Sequence, residues 1–234
     1  MKTLGLIGGM SWESTTVYYQ LLNRMARDRL GGSHSAPLIL WSVDFEPITH
    51  MQAAGEWDKA TAVLADAARR LEAAGAEALL ICANTMHLMA DEVQAAVGIP
   101  VIHVADATSA AIRAAVVRRP LLLATRYTME KPFYRERLAR GGVEAMIPQE
   151  AARERLHRII FEELVRGVFN PDSRAAMLDI ITTGRHDHGV DGVILGCTEF
   201  GLLLKPEDLD LPVFDTAVIH AQAGMDFALA GQSA

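Results

Sequence analysis

The amino-acid sequence predicts an α/β fold of two similar lobes, each built on a parallel sheet, and three observations lead there. First, apolar runs such as Leu4-Gly5-Leu6-Ile7 and Gly192-Val193-Ile194-Leu195 alternate with segments whose apolar residues recur at helical spacing. A strand that is apolar throughout has no solvent face, which is the condition of a parallel sheet covered by helices on both sides. Second, Gly75-Ala76-Glu77-Ala78-Leu79-Leu80-Ile81-Cys82-Ala83-Asn84-Thr85 lies over Gly189-Val190-Asp191-Gly192-Val193-Ile194-Leu195-Gly196-Cys197-Thr198-Glu199 without a gap. Third, Ile99-Pro100-Val101-Ile102 matches Leu211-Pro212-Val213-Phe214, and both lead into Ala-rich helices.

The elements follow in order. The apolar start breaks at Gly8-Gly9 and gives a first strand, and residues 11–29 have helical spacing. Residues 37–45 read as a second strand, 56–74 as an Ala-rich helix, 77–82 as a third strand and 86–97 as a helix. The second half repeats this grammar: strand 120–124, helix 130–139, strand 143–147, two helices within 149–185, and strand 192–196. The segments between the halves have no low-complexity linker composition.

At 234 residues, half of them apolar, the chain can bury a core unaided. A formal charge of −7 lacks the basic stripe that nucleic-acid binding needs. No run approaches the about 20 apolar residues of a membrane span, and the N-terminus has no secretory pattern, so a soluble cytoplasmic protein is expected. Two cysteines are too few for a disulfide scaffold.

Parallel sheets bind ligands beyond the carboxyl ends of their strands. The repeat therefore predicts Ala83-Asn84-Thr85 and Cys197-Thr198-Glu199 on opposite walls of one cleft holding the active site. Nucleotide binding is unsupported, because glycines 5, 8 and 9 do not form the dinucleotide fingerprint and no Walker lysine follows a glycine loop. The loop from Gly8 to Glu13 precedes a helix and could grip an anion. His186 and His188 have no zinc-like companions and read as a solvated loop, so no metal is expected. His87 could orient a substrate or cap a helix, while His103 and His220 read as packing. No Gly-x-Ser-x-Gly elbow supports serine catalysis. Cys197, flanked by Gly196 and Thr198 at a strand exit, serves either packing or chemistry, and the repeat favours chemistry.

Four segments then acquire a common meaning. Gly8-Gly9-Met10-Ser11-Trp12-Glu13-Ser14-Thr15, Asn84-Thr85-Met86-His87, Thr125-Arg126-Tyr127-Thr128-Met129 and Gly196-Cys197-Thr198-Glu199 resemble, in order and spacing, the motifs of the aspartate/glutamate racemase family. The resemblance implies two Rossmann-like lobes related by pseudo-twofold symmetry, usually in a homodimer, with a small amino-acid substrate and no pyridoxal phosphate or other cofactor. It also implies that the last helix, near residues 216–230, returns to the first lobe. The lobes are then expected at residues 1–98 plus 213–234 and at 99–212. By the same resemblance Cys197 is the thiol acid/base, Asn84, Thr85, Thr125, Thr128 and Thr198 hold the substrate carboxylate, Gly9, Met10 and Ala83 line the pocket, and Glu199 neighbours the ammonium group or Cys197.

The sequence departs from the family where a first thiol should precede Asn84-Thr85, since that position is Ala83. The repeat agrees: Ala83, not Cys82, lies over Cys197. A one-residue offset on a strand turns a side chain to the other face, so Cys82 is expected to point into packing. Three readings remain: a racemase of aspartate, glutamate or a broader range that is one-directional or slow; a one-thiol decarboxylase or isomerase of small dicarboxylic acids; and a non-catalytic amino-acid-binding protein. Residues 42–46 offer no basic group for a distal carboxylate, which leaves Arg126 and Arg166 as partners.

Overall fold

The computed structural model describes residues 1–231. It divides into two compact units, Met1–His103 together with the segment from His220 onward, and Val104–Ile219.

The first unit runs β1 (Leu4–Gly8), α1 (Trp12–Leu30), β2 (Leu38–Ser42), α2 (Phe45–Ala54), α3 (Trp57–Ala73), β3 (Ala78–Ile81), a 3₁₀ turn over Thr85–Met89 and α4 (Ala90–Ala95). Its described strands pair in parallel in the order β2-β1-β3, with Leu6 opposite both Leu40 and Leu80. Every residue of β1 and β3 is buried, as their unbroken apolar character requires, whereas β2 at the edge is largely exposed. Ile7, Leu79 and Ile81 pack with Leu64 and Leu71 of α3 and Val93 of α4.

The second unit runs α5 (Val104–Ala114), β4 (Pro120–Leu123), α6 (Arg126–Glu130), α7 (Pro132–Arg140), α8 (Glu150–Arg158), α9 (Pro171–His188), β5 (Gly192–Leu195), α10 (Phe200–Leu203) and β6 (Val213–Asp215). Its described strands pair in parallel in the order β4-β5-β6. The protein is thus an α/β fold with a three-stranded parallel sheet in each unit, among the described residues. The chain crosses at 103/104 and again at 219/220, part-way through α11 (Thr216–Leu229). Residues 213–215 stay with the second unit because Val213 pairs with Val193 in the sheet.

Four local expectations are corrected. Residues 143–147 form no full strand: Val143 N–H closes the end of α7 on Leu138 O at 3.0 Å, which leaves Met146 to make a single bridge to Leu121. The second strand ends at Ser42, because Asp44 Oδ1 accepts Glu46 N–H at 3.3 Å and starts α2 at Phe45. The helix expected over 86–97 is a 3₁₀ turn followed by the short α4. His186 and His188 lie in the exposed last turn of α9, not in a loop, and the helix stops at Gly189 in the left-handed conformation (φ 64°, ψ 37°).

The internal repeat reappears in the backbone ladders. Leu79 N–H donates to Pro100 O at 2.9 Å and Val193 N–H to Pro212 O at 2.9 Å. Cys82 N–H donates to Ile7 O at 2.9 Å and Gly196 N–H to Leu123 O at 2.7 Å. Cys82 is therefore the counterpart of Gly196, and Ala83 that of Cys197.

Candidate functional site

In the second unit, Cys197 stands one residue past the carboxyl end of β5, in the turn that leads to α10. It is 8% exposed, and its Sγ–H donates to Glu199 Oε2 at 3.0 Å, with Glu199 itself 3% exposed. Burial, followed by the adjacent Glu199 carboxylate, pushes the thiol well above its ordinary range, while the main-chain N–H groups of Glu199 and Phe200 pull in the other direction. The resting sulfur is accordingly a protonated thiol with donors already aimed at the thiolate it would become. Thr198 is buried beside it. Across the sheet Thr125 caps α6, its Oγ1 accepting Thr128 N–H at 3.2 Å and lying 3.2 Å from Thr128 Oγ1.

Below this exit, Asp215 ends β6. Its Oδ1 accepts Ala217 N–H at 2.9 Å and Val218 N–H at 3.3 Å, and burial raises its pKa against those bonds. Gly201 faces Asp215 Oδ2 so closely that a Cβ there would collide with the carboxylate. Thr216 Oγ1 donates to Leu195 O at 2.8 Å and ties β5 to the start of α11.

In the first unit the loop after β1 turns on Gly9, whose φ of +89° and contact with the Val43 backbone leave no room for a side chain. Gly9 N–H donates to Thr15 Oγ1 at 2.8 Å, and Met10 is buried beyond it. Ser11 caps α1 much as Thr125 caps α6, accepting Ser14 N–H at 3.3 Å and lying 3.4 Å from Ser14 Oγ. With Glu13 in the first turn, the dipole of α1 is answered by the helix's own carboxylate, which weakens the anion-grip expectation for this loop.

Ala83 is half-buried and leads into buried Asn84 and Thr85. Cys82 is fully buried, with Sγ 3.8 Å from Leu80 O, and desolvation pushes its thiol far up. His87 holds Ala83 O through Nδ1 at 3.0 Å. Gln52, on α2, was not legible as a site residue. It is buried, its Nε2 donates to Met86 Sδ at 3.1 Å, and its Oε1 is buried with no hydrogen-bond partner. The signal that would have found it is the Asp44 cap, which sets Ile48 and Gln52 on one buried helix face.

His103 and His220 are buried in the first unit. Tyr18 Oη donates to His220 Nδ1 at 2.8 Å, and His220 Nε2–H donates to Ile102 O at 2.6 Å, so this ring is a neutral tautomer with both nitrogens used. Desolvation lowers its pKa from 6.5 to about 4. Below pH 6.5 the unfolded chain takes up a proton that the folded ring refuses. Stability should therefore fall as pH drops from 6.5 toward 4, by up to about 3 kcal/mol from this residue. Melting temperatures measured across that window should show the slope, and His220→Gln should flatten it.

Of the two arginines considered for a distal carboxylate, Arg126 is 3.8 Å from Glu130, and Arg166 is exposed in the 3₁₀ turn Leu164–Arg166. Among the described residues no group of three or more His, Cys, Asp and Glu is placed to hold a metal, and no helix is long and apolar enough to cross a membrane.

The sequence matches the Asp/Glu/Hydantoin racemase family model over residues 7–224. The structure is similar to that of a candidate Asp/Glu racemase from Yersinia pestis, at 49% identity, TM-score 0.89, and coverage of 98% of this chain and 100% of that one. It is also similar to an aspartate racemase homologue from Pyrococcus horikoshii OT3, at 37% identity, TM-score 0.85, and coverage of 97% and 99%. The broad specificity amino-acid racemase RacX of Bacillus subtilis (strain 168) is 20% identical over 238 residues, 98% of this chain and 100% of RacX. With the family model spanning nearly the whole chain and the relatives matched end to end, the protein belongs to the Asp/Glu/hydantoin racemase family.

Proposed function

We propose that the protein is an amino-acid racemase that works without pyridoxal phosphate, with Cys197 as its thiol acid/base. The observation that carries this reading is the buried Cys197 Sγ–Glu199 Oε2 contact of 3.0 Å, with main-chain donors aimed at the sulfur. An amino-acid α-carbon is a very weak acid, and inversion requires a proton to leave one face and another to arrive at the opposite face. The protonated Cys197 delivers its proton to the carbanion and is left as a thiolate held by the Glu199 and Phe200 N–H groups; in the reverse direction that thiolate removes the α-proton. Asn84, Thr85, Thr125, Thr128 and Thr198 donate to the substrate carboxylate, where negative charge grows as the α-proton leaves. Gly9, Met10 and Ala83 line the substrate site.

Ala83 carries no ionisable group, so solvent serves the other face, and turnover is slow or one-directional. The same feature favours, as a second reading, a one-thiol decarboxylation or isomerisation of a small dicarboxylic acid. The proposed substrates are aspartate, glutamate or a broader range of amino acids. A homodimer in the cytoplasm accompanies the proposal, in keeping with two free, buried thiols.

The test is loss of the α-proton NMR signal in deuterated water, on L- and D-aspartate and glutamate and then on neutral amino acids. Exchange supports the proposal. Silence on every amino acid, with carbon dioxide released from a malonate-type acid, would replace it with the second reading.

A further inference from the structure

The repeat that pairs Ala83 with Cys197 lays His87 over Gly201, and the second matched pair of segments, Ile99–Ile102 with Leu211–Phe214, lays His103 over Asp215. The two units fill these matched positions with different chemistry. In the second unit there is one carboxylate: Asp215, fixed by Ala217 and Val218 N–H at 2.9 and 3.3 Å, occupies the space that a side chain on Gly201 would need. In the first unit there are two imidazoles, with ring centroids 4.7 Å apart and planes at 60°. His87 is therefore a side chain where the other unit has none.

Its ring is held on several sides. His220 lies 5.4 Å away at 67°, and both of its nitrogens are engaged, by Tyr18 and by Ile102 O. Tyr18 of α1 and Ile102 thus fix the His220 ring of α11, and the His220 and His103 rings in turn pack against His87. That ring's Nδ1 is 3.0 Å from Ala83 O, and because a carbonyl can only accept, Nδ1 carries the proton. The counterpart carbonyl, Cys197 O, takes a main-chain N–H from Phe200 at 3.0 Å.

We propose that His87 is a positioning residue for the first unit's strand exit: its Nδ1–H fixes the Ala83 carbonyl, and with it the peptide leading to Asn84 and Thr85, which hold the substrate carboxylate. This rests on the racemase reading for its kinetic consequence and on the His87–Ala83 hydrogen bond alone for its structural one. An imidazole packed edge-on against two other rings holds a carbonyl more tightly than a free side chain can, and small misplacements at a reacting centre are costly. Because Asn84 and Thr85 hold the carboxylate that both enantiomers carry, a defect at residues 83–85 slows exchange on both.

The experiment compares His87→Leu, which removes the donor, with His87→Asn, whose Nδ2–H stands near the place of Nδ1–H. Exchange is followed separately on the L and D forms of one amino acid in deuterated water. His87→Leu should slow both enantiomers about 10-fold or more, and His87→Asn should recover most of the loss. No slowing, or an Asn variant no better than Leu, would overturn the proposal.

A readout independent of turnover is amide hydrogen exchange. Asn84 and Thr85 should lose protection in His87→Leu and regain it in His87→Asn, while residues 197–199 stay unchanged; unchanged protection at 84 and 85 overturns the proposal even if the unmodified protein turns over nothing. Should His87→Leu fail to fold, Tyr18→Phe, which frees His220 Nδ1 while keeping the ring, should loosen the same two amides to a smaller degree, and unchanged amides there would again overturn it.

Discussion

Replacing Cys197 by Ser should cut α-proton exchange by about 10²- to 10⁴-fold, the range typical of a lost acid/base group. The substitution is close to isosteric, and the serine hydroxyl can still donate to Glu199 as the thiol does at 3.0 Å. What it loses is acidity, since an alcohol gives up its proton far less readily than a thiol. The buried turn should persist, with a melting temperature within a few degrees of the unmodified protein and amino-acid binding intact by calorimetry. Full exchange in Cys197→Ser would remove the thiol from the mechanism, whatever the rest of the site does.

Ala83→Cys is expected to act in the opposite direction, raising racemisation by about 10²-fold by adding an acid/base on the face that the proposed mechanism leaves to solvent. The matched ladders make this specific: Cys82 N–H and Gly196 N–H occupy the same rung, so residue 83 and not residue 82 stands where Cys197 stands. Ala83 is only half-buried, which leaves room for a sulfur atom. Cys82→Ala is the control. It should leave racemisation unchanged, costing only stability, because Cys82 is fully buried. A gain absent in Ala83→Cys and activity lost in Cys82→Ala would mean that the strand exit is bent and that Cys82 is the reacting thiol.

Much of this was legible in the sequence. The unbroken apolar character of β1, β3, β4 and β5 led to parallel sheets, and the gapless repeat gave Ala83 and Cys197 the same place in their two sequence segments, as the backbone ladders do. What escaped notice was decided by single local bonds. Asp44 capping Glu46 N–H turned the end of a presumed strand into α2 and carried Gln52 into a buried position. Val143, apolar and strand-like in isolation, was taken by the end of α7. His220 read only as packing, because its partner Tyr18 is 202 residues away in the chain. Contacts of that kind leave no periodicity for a sequence to display.

The order in which the two units occupy the chain bears on synthesis at the ribosome. The second unit is one uninterrupted stretch, while the first waits for α11. Until that helix emerges, Lys2 N–H lacks the Ala228 carbonyl it meets at 2.8 Å, and Leu80 lacks the close approach of Gly224. A nascent chain therefore carries its N-terminal sheet with Leu4 and Leu80 uncovered on the side that α11 later fills. The unit that begins first along the chain is the one completed last.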